Sequence, residues 1–92
     1  MILRILNEGQ YRLDSAHLDR LNEMDGHLVE AVASGDEARF RRLLGEMLAY
    51  VMEKGQSLAP QDLAASDVVL PTPDITMDEA RSLFVGAGVI PG

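Results

Sequence analysis

The sequence contains no cysteine and no tryptophan. Without cysteine there are no disulfides, no thiolate chemistry and no zinc site with sulfur ligands, a usage that agrees with a reducing compartment. Two Phe and two Tyr are the only aromatics, so the core must be built from Leu, Val, Ile, Met and Ala. Basic residues are few: eight Lys and Arg stand against fifteen Asp and Glu, giving a net charge of −7, and no basic stripe is large enough to follow a phosphate backbone. Nucleic acid is therefore excluded as an expected partner. No run approaches the ~18–20 apolar residues of a membrane-spanning helix. The N-terminal apolar run carries Arg4 inside it, unlike a signal peptide, and the default expectation is a soluble cytoplasmic protein.

What remains is an ordinary globular composition, 47% hydrophobic and 25% charged over 92 residues, enough for a single domain with a thin core. Its centre is the stretch Asp36–Lys54. At 100° per residue, Phe40, Leu43, Leu44, Met47, Tyr50 and Val51 form one apolar face. Ala38, Gly45, Leu48, Ala49 and Met52 form a second apolar arc, and only a narrow strip of Arg39, Arg42, Glu46 and Glu53 is polar. A helix apolar over most of its circumference must be covered from two directions or shared with a partner.

The neighbouring segments supply candidates for that cover. Met1–Leu6 and Tyr11–Leu13, joined across Asn7-Glu8-Gly9-Gln10, predict a β-hairpin. Asp14 or Ser15 can cap a helix from Ser15 to Ser34, on which Leu18, Leu21, Met24, Leu28, Ala31 and Val32 recur at helical spacing. The short Ser34-Gly35-Asp36 link forces this helix and the central one into an antiparallel pair. Pro60, Pro71 and Pro73 exclude a long helix further on, although Pro60–Ala64 suits one helical turn. Asp67–Leu70 reads as a third, edge strand added to the hairpin, and Thr76-Met77-Asp78-Glu79 has the form of a capping box opening a short helix to about Val85. The predicted fold is α+β: a hairpin with a third edge strand, packed on a long antiparallel helix pair with a short C-terminal helix.

Catalytic groupings are sparse. His17 and His27 lie about 80° apart on the wheel and about 15 Å apart along the axis, too far to share a metal. Asp19, Glu23 and Glu30 make an acidic helix ridge without calcium-loop spacing. No nucleophile, base and oxyanion donor can be grouped, so neither enzymatic activity nor a cofactor is expected. Asp25 breaks the pattern by falling within the apolar face of the first helix, between Leu18, Leu21, Val29 and Val32. It either pairs with Arg4, Arg41 or Tyr50 or reaches water at a rim.

Two surfaces suggest partners. Arg39, Arg41 and Arg42 are either local ion-pair partners or complements to an acidic stripe on another helix. Gly45, Leu48, Ala49 and Met52 either pack beneath the sheet and third helix or form a docking groove or homodimer face.

The ordered set Met1-Ile2-Leu3-Arg4-Ile5-Leu6, Glu8-Gly9-Gln10-Tyr11, Asp36-Glu37-Ala38-x-Phe40, Ser66-Asp67-Val68-Val69-Leu70-Pro71 and Gly88-Val89-Ile90-Pro91-Gly92 resembles the PspA-associated family, PspAA, over essentially the whole chain. The resemblance implies a small non-enzymatic cytoplasmic protein that works beside PspA, the coiled-coil membrane-stress protein. It carries no catalytic residues with it. Candidate partner-binding residues are Arg41, Arg42, Gly45, Leu48, Ala49 and Met52, with any membrane contact made through the partner. A homodimeric structural module and a small ligand-binding sensor are the alternative readings.

Overall fold

The computed structural model describes residues 1–61 and 64–90. Strand β1 (Ile2–Ile5) alternates, with Leu3 and Ile5 buried and Arg4 exposed, and pairs antiparallel with β2 (Gly9–Arg12). The Glu8 amide donates to the Ile5 carbonyl at 2.9 Å to close the turn. Asp14 then accepts from the Ala16 amide at 2.9 Å, which tightens Ser15–His17 into a 3-10 turn. The first long helix, α1 (Leu18–Ser34), therefore begins three residues later than its periodicity predicts.

Gly35 ends α1 in the left-handed conformation, φ 71°, and Asp36 caps α2 (Glu37–Lys54) by accepting from the Arg39 amide at 3.1 Å. One link thus both stops and starts a helix, and the two helices fold back on each other.

The sheet has four strands where three are expected. Gln56–Ser57 forms β3 on the outer side of β2, and Val68–Leu70 forms β4 on the other side of β1, giving the order β3-β2-β1-β4. β4 is an edge strand as expected, but it runs parallel to β1, with Leu3 beside Val68 and Ile5 beside Leu70. The helical turn expected at Pro60–Ala64 falls partly on residues 62 and 63, outside the described residues. The capping box at Thr76 is present, the Glu79 amide donating to Thr76 Oγ1 at 3.1 Å, and it opens α3 (Met77–Leu83). This helix ends at Leu83, two residues short of the expected end; Phe84 leaves helical geometry and packs edge-on against Phe40 with ring centroids 5.6 Å apart.

The architecture is α+β. Leu3, Ile5, Val68 and Leu70 on one sheet face join Leu21, Leu28, Phe40, Leu44, Met47 and Val51 in a single hydrophobic cluster. Strands this short are marginal alone, whereas each large apolar side chain buried contributes about 1.5–3 kcal/mol, so the helix pair holds the sheet.

Candidate interaction surface

α2 buries one side and exposes another. Phe40, Leu44, Met47 and Val51 are fully covered, as its first apolar arc predicts. Of the two readings of the second arc, burial beneath the sheet and third helix does not hold: Leu48 alone is buried, at 3% exposure, while Ala38, Gly45, Ala49 and Met52 are exposed, Met52 at 39%. The reason is geometric. β1 and the turn after it border this arc without covering it, Ile5 and Glu8 lining one groove with Gly45, Leu48, Ala49 and Met52.

The result is an open groove of about 520 Å³. α2 provides Gly45, Leu48, Ala49 and Met52, Ile5 completes the floor, and Pro73 closes one wall. Glu8 and Glu53 stand on its rim. A Cβ built on Gly45 would meet nothing within 4 Å, so the helix surface there is flat and open.

The three arginines of α2 have separate fates. Arg39 faces Glu30 of α1 at 3.7 Å. Arg41 donates to Glu37 at 3.1 Å, to the Pro73 carbonyl at 3.0 Å and to the Ile75 carbonyl, and its guanidinium lies 5.7 Å from the Phe40 ring centre. It therefore anchors the segment that walls the groove. Arg42 projects from the exposed side of α2, and among the described residues it enters no ion pair. Glu53 is paired only with its neighbour Lys54, at 3.7 Å and with its own side chain 74% exposed.

Arg41 also acts on Asp74. The Thr72 hydroxyl first, then the Asp74 amide, hold the Asp74 carboxyl below its ordinary value of 3.8 against desolvation, and the Arg41 charge adds the least.

Asp25 is buried, at 1% exposure, and neither Arg4, Arg41 nor Tyr50 is its partner. Its carboxylate accepts instead from the main-chain amides of Val89, at 3.2 Å, and Ile90, at 2.9 Å. The correction has a physical reason: two amide donors satisfy a carboxylate as a cation would, and they leave no signature in side-chain identity. Tyr50 is engaged elsewhere, its hydroxyl 2.9 Å from His17 Nδ1. Gly88 precedes the two amides with φ 84°, and a Cβ at that position would overlap the Asp25 carboxylate.

A second open groove of about 670 Å³ lies between β4 and α3, with Leu6 and Val69 exposed on it. The sequence pattern missed this groove, as it missed Ile5, Glu8 and Pro73 as walls of the first. All of them depend on where connecting segments return in space. Among the described residues no three His, Asp or Glu side chains converge as a metal site, and no helix is long and apolar enough to cross a membrane.

The chain belongs to the PspAA family: the model of that family, described as PspA-Associated protein, matches residues 1–92, its whole length. No curated protein and no solved structure matches it.

Proposed function

We propose, with PspAA membership as the premise, that the chain is a non-enzymatic interaction module that binds a PspA-type coiled-coil protein and modulates it in envelope stress. The binding surface is the exposed side of α2, with Gly45, Ala49 and Met52 at its centre, Leu48 on its floor and Arg42 at its end. The observation that carries this reading is that α2, which bears apolar residues on two arcs, leaves this side uncovered.

Helix-in-groove recognition needs an apolar floor and room for close approach. Gly45 and Ala49, four residues apart, provide the room, and the flexible thioether of Met52 fills irregular gaps. Arg41 supports the site indirectly, by holding Pro73 and Ile75 in place. A net charge of −7 opposes direct attraction to anionic lipid, so membrane contact runs through the partner.

The test is a calorimetric titration of the chain with the PspA-type protein of the same genome. Met52→Asp is expected to weaken binding at least about tenfold by placing a charge in an apolar contact, whereas Glu23→Gln on the α1 ridge leaves it unchanged. Absence of any association with the wild-type chain refutes the reading.

A further inference from the structure

The uncovered side of α2 is self-complementary in charge. Arg42 lies toward its N-terminal end and Glu53 toward its C-terminal end, eleven residues or about 16 Å apart along the axis. On the helical wheel the two are within about 20° of each other, both on the same flank of the line through Gly45, Ala49 and Met52. Arg42 enters no ion pair among the described residues, and Glu53 faces only the adjacent Lys54.

We propose that in the absence of another partner this face pairs antiparallel with the same face of a second copy of the chain, Arg42 of each copy lying against Glu53 of the other. A two-fold axis between residues 47 and 48 brings each Arg42 to the height of the opposite Glu53, and because both project from one flank they meet rather than pass. The same axis brings Gly45 to within one residue's rise, about 1.5 Å, of the height of Ala49 of the second copy, where small residues let helix axes approach to about 8 Å. Parallel pairing would put the two Arg42, and the two Glu53, on opposite flanks of the interface, so only the antiparallel arrangement forms the ion pairs. Glu8, on the rim beside Met52 and Glu53, adds negative charge at the end that receives the arginine.

The experiment is sedimentation equilibrium of the full chain at low salt, with no other protein present. The wild-type mass is expected to rise with concentration from one chain to two. Arg42→Glu and Glu53→Arg should each raise the dimer dissociation constant about tenfold, because either reversal replaces two attractive pairs by two repulsive ones. The double variant R42E/E53R restores both pairs in swapped form and should return to within about twofold of wild type. Both substituted positions are on the exposed side of the helix, so far-UV circular dichroism should be unchanged in every variant. A chain that stays monomeric overturns the proposal, as does a dimer indifferent to the single reversals or a double variant no better than either. The assay contains no PspA-type protein, so its failure is distinct from failure of the titration above.

Discussion

Asp25 occupies a position where an apolar residue would serve α1 better, and its value lies in what it holds. The two amides it accepts belong to residues 89 and 90, which follow the last helix and have no strand or helix of their own to pair with. Asp25→Asn keeps the shape but replaces one acceptor by a donor, leaving a buried amide unpaired, and is expected to destabilise the chain by about 1–3 kcal/mol in urea unfolding. Gly88→Ala should cost a similar amount by a different route, since its φ of 84° strains any L-residue and its Cβ would overlap the same carboxylate. If these two substitutions act on one contact, the double variant will cost less than the sum of the singles. Asp74 offers a pH-dependent counterpart. Its folded value is depressed, so its contribution is present above pH 3.8 and is lost as pH falls through the lower folded value. Thr72→Val removes the largest cause, and an NMR titration should find the Asp74 midpoint moved back up toward the ordinary value.

The helices carry two glycines that nothing in the chain requires. Gly26 and Gly45 are both exposed and would accept a Cβ without contact, so Gly26→Ala and Gly45→Ala are each expected to stabilise the chain by about 1 kcal/mol through helix propensity alone. Nothing in the structure explains Gly26. Gly45→Phe separates the roles: it should fold as stably as wild type, yet lose both helix pairings argued for α2, measured by sedimentation and titration. The long helices were legible because a 3.6-residue period over four turns is hard to mistake, and their caps at Asp36 and Thr76 have local chemistry. β3 was not legible, because two polar residues held by main-chain pairing to Tyr11 and Arg12 carry no apolar alternation. The parallel direction of β4 was equally hidden, since it depends on how the whole intervening chain returns to β1. For the candidate site, the residues from α2 could be read from the wheel. Its walls, Ile5, Glu8 and Pro73, could not.

At the scale of the whole molecule, one exposed face is asked to receive two occupants, and this makes the two proposals quantitatively linked. A second copy and a PspA-type helix both need Gly45 and Ala49 open and Arg42 free, so they exclude one another, and only the monomer is competent to bind the partner. Apparent affinity then falls in proportion to the monomeric fraction. With total chain at ten times the dimer dissociation constant, mass action leaves about one-fifth of it monomeric, so the partner should appear about fivefold weaker than at high dilution. The measurement is fluorescence anisotropy of trace labelled PspA-type protein, in which the observed affinity is followed as unlabelled chain passes through its own dimerisation range. An affinity that does not change over this range would mean that the partner lies elsewhere, and the groove between β4 and α3 would be the surface to vary next, by Val69→Asp. An affinity that falls as expected would make self-association a buffer: accumulated chain is held as dimer and released to the partner as the monomer is drawn away.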